Sequence, residues 1–430
     1  MSLRRKVLLV IPLALALLAA GCKVNTINYF PPHPATVRVL NLMVDAPGVD
    51  VSVNGSPAFS NVAFQSATAY QSFNNTQTTF TATLSGTTTT LGSFSIPLAG
   101  EQPYTLLVLG TTTFPQVTLV SEVAQAPTNG NIQLAVYNAA VNNSLVDIYV
   151  TAPGTDITTV GPNYSAVSYG GTTYNLAFPP GTYQVQVTTQ GTKTVIFDSG
   201  GTVLTPNVAL TLFLYSEGSG TLVNGMVLQS QGPVAPLSSI FARMKAANGA
   251  PIVGPVNQLI STLAVNLNVN FGSASTYSQI PRGATIINYE ASSNPGATIA
   301  STSVTVPPAV DTSTFIVGNP GSQQAYMLVD LNIPPASGNA RVRFVNASPG
   351  ANPVNAAMNG TQLASNVAFP TASPYAQLAA TTVTVDFTDA ATGAVLVEQT
   401  GVVLTANTTG TIYLIGPPGA QGLIITQDNP

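Results

Sequence analysis

The chain has 430 residues, of which 45% are hydrophobic and only 6% charged, with a formal net charge of −4 and no tryptophan. Apolar content on this scale supports folded cores over most of the length and excludes a largely disordered chain. No Lys/Arg cluster follows residue 6, which excludes nucleic acid as a partner, since that needs a basic footprint.

Arg4, Arg5 and Lys6 form a basic start, and residues 7–20 form an apolar run of 14 residues. That is too short for a spanning helix, which needs about 20, and has the length of a signal-peptide core. The stretch LAAGC at 18–22 resembles the lipobox of bacterial lipoproteins, in which the Cys is lipidated and becomes the first mature residue; Ala19 stands in place of the usual Leu. Cys22 is the only cysteine in the chain, so it has no disulfide partner. Residues 1–21 are thus expected to be a lipoprotein signal peptide, 22–35 a tether, and Cys22 the point where the chain meets the membrane. Acyl chains there would each hold by about 0.8 kcal/mol per buried CH2. Lys23 replaces the Asp that, by resemblance to the known sorting rule, retains lipoproteins at the inner membrane. The expected place is the cell envelope, at the outer membrane.

Beyond the leader the chain repeats itself. Shifted by 305 positions, residues 37–70 align without a gap on 342–375, with 14 of 34 identical. The phrase SNVAF occurs in both, at 60–64 and 365–369. Asn41, Asp50, Phe64 and Tyr70 have the spacing of Asn346, Asn355, Phe369 and Tyr375, and of Asn248, Asn257, Phe271 and Tyr277. A fourth copy keeps Asn138 and Asp147 nine apart, while an insertion delays its aromatic pair to Tyr169 and Tyr174. Pro- and Gly-rich stretches at 29–35, 124–130, 231–237 and 332–339 fall at the joints. The modules expected are 36–127, 130–232, 238–334 and 339–428, the third the most divergent. Proline in each joint predicts semi-stiff, extended spacers.

Within a copy, stretches such as VDVSV (49–53), TYQVQV (182–187), TVTVDF (382–387) and GTIYLI (410–415) alternate or run with β-branched and aromatic residues. Asn54-Gly55 and Asn359-Gly360 directly follow strands and suit type I′ turns. About seven short strands per module, with no crossover helix, predict an all-β fold: tandem immunoglobulin-like antiparallel β-sandwich modules in an extended array. Without Trp or disulfide, the repeated Phe and Tyr are expected to fill the sandwich cores.

At DAPGVDVSVNG (45–55) followed by SNVAF, and at RVRFVNASPG (341–350), the chain resembles the bacterial family known as domain of unknown function 4397 (DUF4397). PGTYQVQV (180–187) is similar to the later Gly-Thr-Tyr strand of that pattern. The resemblance implies secreted or surface-anchored β-sandwich modules, often in tandem, and no established activity. Where family members often carry His, this chain has Asn41, Asn138, Asn248 and Asn346, so a metal role at that position is not expected.

His33, the only histidine, lies between prolines in the tether, where no scaffold could hold it for catalysis. Asp45 and Asp50 invite reading as a weak Ca²⁺ site or a glycosidase pair. Their counterparts Gly350 and Asn355 are not ionisable, which favours a turn-holding acceptor instead. Asp386 and Asp389 lie three apart on or near a strand and should face opposite ways. The Gly-rich spots lack a phosphate-loop pattern. No catalytic residue, metal or cofactor is therefore expected. The leading expectation is a non-enzymatic, lipid-anchored envelope protein serving as spacer, adhesion or scaffold surface. The alternative is an extracytoplasmic module that binds a polysaccharide, through exposed Tyr and Thr, or a surface protein. An envelope hydrolase is the third.

Overall fold

A computed structural model describes residues 33–429 apart from 47, 75, 219, 252 and 253. Nearly all of the ordered structure is strand, and the one helical turn among the described residues is the 3-10 segment Ile157–Thr159.

In module 1 the strands are β1 (Ala35–Asn41), β2 (Gly48–Val53), β3 (Ser56–Ala63), β4 (Ser66–Ala67), β5 (Gln71–Phe73), β6 (Gln77–Leu84), β7 (Thr90–Pro97), β8 (Pro103–Gly110) and β9 (Pro115–Ser121). One sheet has the order β4-β1-β8-β9, with β5 also on β1; the other has the order β3-β2-β6-β7. All neighbours are antiparallel except β1 and β8, which run parallel. A closely similar plan recurs three times, and each module closes its first strand against a later one in parallel: Ile132–Ala139 on Val208–Tyr215, Phe241–Gly249 on Asp311–Val317, and Asn339–Ala347 on Thr409–Ile415. Module 2 adds a strand, Val234–Leu237, to its first sheet, so the joint expected at 231–237 is in large part sheet and not spacer.

Alternation explains each sandwich core. Along β2, Val49, Val51 and Val53 are buried while Asp50 and Ser52 turn outward, and the valines meet Val37, Val39, Phe80, Leu106 and Val108 across the two sheets. Asn54-Gly55 and Asn359-Gly360 take positive φ at both residues, 51° and 79°, then 47° and 76°, as a tight hairpin requires.

Alternation fails most fully in the strand that runs parallel to each module's first strand, and the failure locates the next level of assembly. Every residue of β8 is buried, as is every residue of Asp311–Val317 and Thr409–Ile415. A strand buried on both sides must be covered on both sides. The cover is the neighbouring module. Leu106 and Val108 face into the core of module 1, while Leu107 and Leu109 join Leu40 and Leu42 against Phe213 and Tyr215 of module 2. Modules 3 and 4 meet likewise, with Ala247, Phe315 and Val317 against Val345, Tyr413 and Ile415. The chain therefore forms two thick blocks, 1·2 and 3·4, each four sheets deep. The all-β sandwich class is as read from the sequence, but the proline-rich joints within a block do not space its modules apart. The apolar outer face of each first sheet outweighs the stiffness of the joint.

Candidate functional site: the seams between paired modules

The repeated asparagines are fasteners inside each module. Asn41, Asn138, Asn248 and Asn346 are fully buried. Each donates its side-chain amide to the carbonyl of an equivalent valine, Val62, Val167, Val269 or Val367, at 3.0–3.1 Å. Each accepts, on its side-chain oxygen, the N–H two residues on, from Met43, Ala140, Ala250 or Ser348. One side chain thus closes a turn and ties the first sheet to the second.

The Asp-or-Asn position does a second local task. The side-chain oxygens of Asp50, Asp147, Asn257 and Asn355 accept the N–H of Asn61, Ala166, Asn268 and Asn366, at 2.6, 2.8, 3.0 and 3.0 Å. Those four donors all sit at positive φ, between 49° and 54°, where the register of the strand pair slips. The acceptor therefore holds a β-bulge in a left-handed conformation that most residues avoid. The bond from Asn61 N–H holds the Asp50 carboxyl below its usual value. Asp45 is occupied elsewhere, accepting the backbone N–H and hydroxyl of Thr112 at 2.8 and 2.6 Å. Asp389 caps its own turn through Ala391 and Thr392 N–H and takes the Asn352 amide. None of these carboxylates converges with another.

The repeated aromatics stand outside the sandwich cores, which corrects the expectation for them. After β3 the chain leaves one sheet for the other, and this crossing delivers its side chains to the outer face. Phe64 packs edge-on to Tyr215 of module 2 at 6.0 Å, and Phe369 of module 4 packs on Tyr326 of module 3 at 5.4 Å. Tyr169 joins the first seam, whereas Phe271 is about half exposed. Tyr70, Tyr277 and Tyr375 lie beneath cations: Arg38 over Tyr70 at 4.6 Å, Arg243 and Lys245 over Tyr277 at 5.1 Å, and Arg341 and Arg343 over Tyr375 at 4.6 and 5.1 Å. Tyr174 of module 2 is exposed.

Tyr70, Tyr277 and Tyr375 belong to a polar cluster that repeat spacing alone does not reveal. On the first strand Arg38, Lys245 and Arg343 are equivalent, each paired across the parallel ladder with Thr105, Ser313 or Thr411. At the end of the last strand Glu122, Asp330 and Asp428 are equivalent and buried. In block 3·4 the ion pairs cross the seam in both directions: Lys245 of module 3 with Asp428 of module 4, and Arg343 of module 4 with Asp330 of module 3. In block 1·2 Arg38 pairs with Glu122 of its own module at 3.1 Å and reaches the carbonyls of Gln229 and Gly232 in module 2 at 3.0 and 2.6 Å. Module 2 supplies backbone because it has Ala135 and Ser230 where the others carry the cation and the acid.

Burial pushes the tyrosine hydroxyls up, most of all Tyr277, where Asp330, Asp428 and Asp311 add to the effect. Tyr277 stays protonated and donates to Asp330, which also takes Ser313 Oγ. Burial works against ionising Asp330, but Arg343 and Lys245 together hold its carboxyl below the usual range. A cavity of about 590 Å³ opens beside this cluster, lined by Arg243, Lys245, Ser275, Tyr277, Thr426 and Asp428. Its counterpart in block 1·2, about 390 Å³, is lined by Arg38, Gln65, Thr68, Gly232 and Val234. Their charged groups are turned to each other, so the arrangement is suited to clamping modules rather than to moving protons.

His33 Nδ1 lies 3.1 Å from Glu101, both well exposed. Cys22 lies outside the described residues. Among the described residues no group of three His, Cys, Asp or Glu side chains could hold a metal ion, and no helix is long and apolar enough to cross a membrane.

The family model for a domain of unknown function (DUF4397) matches residues 35–149, 242–357 and 342–430, more than half of the chain. The chain belongs to the DUF4397 family. The DUF4397 segments carry the buried asparagines of modules 1 to 4 and all three cation–acid clusters. No curated protein matches the chain. Among solved structures, a streptococcal virulence factor described as binding α-glucan is 9% identical over 43% of this chain and 95% of its own, with a TM-score of 0.17. A family 26 carbohydrate-binding module of Eubacterium rectale Amy13K in complex with maltoheptaose is 10% identical over 46% of this chain and 98% of its own, TM-score 0.17. The Bacillus anthracis TIE protein is 8% identical over 87% and 66%, TM-score 0.16.

Proposed function

We propose that this DUF4397 protein is a non-catalytic scaffold of the bacterial cell envelope, anchored by a lipid on Cys22, whose working units are two rigid module pairs rather than four separate beads. One observation carries the reading. Arg38, Arg243, Lys245, Arg341 and Arg343 are most of the basic residues beyond the tether, and all five lie at or beside the seams, stacked on tyrosines or bonded to buried acids and carbonyls. Most of the basic charge beyond the tether in so lightly charged a chain is thus spent at the seams. The surface left for partners is made of hydroxyls, amides and loops at the sandwich ends.

The test is envelope fractionation with metabolic palmitate labelling. The wild-type chain should take up label and sediment with the outer membrane, and Cys22→Ala should lose both. Label retained by Cys22→Ala would remove the anchor, and turnover of any envelope polymer by the purified chain at an enzymatic rate would remove the non-catalytic reading.

A further inference from the structure

Module 2 departs from the other three where its tyrosine should enter the seam. In every module a hydroxyl after the crossing accepts an N–H of the first strand: Thr68 from Val39, Thr173 from Val136, Ser275 from Ala246 and Ser373 from Phe344, at 2.8–3.0 Å. From that shared anchor Tyr70, Tyr277 and Tyr375 are two residues on, but Tyr174 is one residue on. Successive side chains of an extended segment point to opposite sides. The one-residue shift therefore turns Tyr174 out of the seam, where Ala135 offers no cation, and leaves it 69% exposed.

Tyr174 is braced on one side. Its ring lies edge-on to Tyr164 at 5.9 Å and 61°, and Tyr164 is buried, with its hydroxyl donated to the Leu134 carbonyl. The two rings bound an open cleft of about 470 Å³ between the strand Tyr164–Ser168 and the crossing segment 171–174. One end is walled by Pro162 and Asn163 of the insertion peculiar to this module, which Lys193 pins from outside by donating to the carbonyls of Ile157 and Val160 at 2.6 and 2.9 Å. Asn163 uses its side-chain oxygen to accept Val150 N–H at 2.6 Å. Its amide NH₂ and the hydroxyls of Ser165 and Ser168 have no hydrogen-bond partner among the described residues. No charged side chain lines the cleft.

An exposed aromatic face braced on one side and flanked by unpaired amide and hydroxyl groups, with no charge, suits the chemistry of a neutral sugar. The apolar C–H face of a pyranose ring can lie on the tyrosine, while its hydroxyls exchange hydrogen bonds with amide and serine groups. Phosphorylated or acidic ligands find no counter-charge there. We infer that the Tyr174 cleft of module 2 is a binding subsite for a neutral hexose polysaccharide. It does not depend on how the chain is anchored or on the role of the seams.

The test is calorimetric titration of the full chain with neutral heptasaccharides of α-glucan, β-glucan, mannan and galactan, a polyuronic acid, and an extended peptide library. At least one neutral oligosaccharide should bind while the polyuronic acid does not. Tyr174→Ala should weaken that binding at least tenfold and Tyr174→Phe, which keeps the ring, by less than threefold, with unchanged thermal unfolding in both. The assignment is overturned if no neutral glycan binds, if Tyr174→Ala binds as tightly as the parent, or if the ligand captured is a peptide pairing with the free edge of Tyr164–Ser168.

Discussion

Between modules 1 and 2 the facing sheets interleave Leu40, Leu107, Leu109, Phe213, Tyr215 and Met226. Between modules 3 and 4 the same strands bring smaller side chains, such as Ala247, Val317, Val345 and Ala347, around Phe315 and Tyr413. The second seam has what the first lacks, two buried ion pairs that cross from one module to the other. It also carries the hydroxyls of Tyr375 and Tyr413 buried without a partner, a cost that the leucine-rich seam avoids. The comparison separates two ways of fusing sandwiches. Apolar area is non-directional and tolerates drift, whereas a buried ion pair fixes register and penalises any state that leaves one charge alone.

The largest expected effect follows from that penalty. Arg343→Met leaves Asp330 buried without its main counter-charge and should destabilise block 3·4 by about 3–5 kcal/mol, as breaking buried pairs does. Arg343→Met combined with Asp330→Asn should recover a large part of the loss, because the orphaned charge is gone and Ser313 and Tyr277 still find an acceptor. Differential scanning calorimetry of the full chain reads both, and block 1·2 should melt as before. Equal losses in single and double variants would mean that the seam depends on the shape of Arg343 and not on its charge.

Acid should move the two blocks in opposite directions. In block 1·2 burial raises the carboxyl of Glu217 above its ordinary 4.5, with Asn224, Tyr215 and Gln65 of module 1 partly offsetting this. A raised carboxyl binds its proton more readily in the folded chain, so this contribution grows as pH falls through the folded value and is complete below about 4.5. In block 3·4 the carboxyl of Asp330 is held below its ordinary 3.8. Its contribution is fully present above that value and is lost as pH falls beneath it. Scanning calorimetry from pH 7 to pH 3 should show the 1·2 transition gaining on the 3·4 transition, and Glu217→Gln should flatten the gain. Parallel shifts of both transitions would deny the contrast. The lowered carboxyls of Asp50 and Asp156 also act in block 1·2, but both lie near the surface and are screened, so their opposing effect is small.

How far the sequence revealed this architecture depended on what kind of signal each part left. The sandwich class was legible because β-branched alternation and the Asn-Gly hairpins are local. The fastening asparagines were visible as a repeat, and their task was not, because the carbonyl that Asn41 reaches lies 21 residues away. The seams were the least legible. Arg38 and Arg343 fall inside the ungapped repeat, but Glu122, Asp330 and Asp428 lie beyond it, so the cluster could not be assembled by alignment alone. One clue was available: YTLLVLG and TIYLI run apolar without alternation, the mark of strands covered on both faces. The place of the aromatics was not legible, because a large apolar ring fits a core and a seam equally well, and only the crossing after β3 decides between them.

The smallest effect tests the bulge that both blocks share. Asp50 accepts Asn61 N–H at 2.6 Å, and Asn257 and Asn355 accept the equivalent N–H groups at 3.0 Å without a charge. The bulge requires an oxygen and not an ion. Asp50→Asn should therefore change stability by no more than about 0.5 kcal/mol. Asp50→Leu, which leaves the left-handed Asn61 without its acceptor, should cost about 1–3 kcal/mol. Added Ca²⁺ should leave the melting of the parent and of Asp50→Asn alike, since Asp45 is already committed to Thr112. A Ca²⁺-dependent rise in melting that Asp50→Asn abolishes would restore the charge as the reason for Asp50 and set module 1 apart from modules 3 and 4.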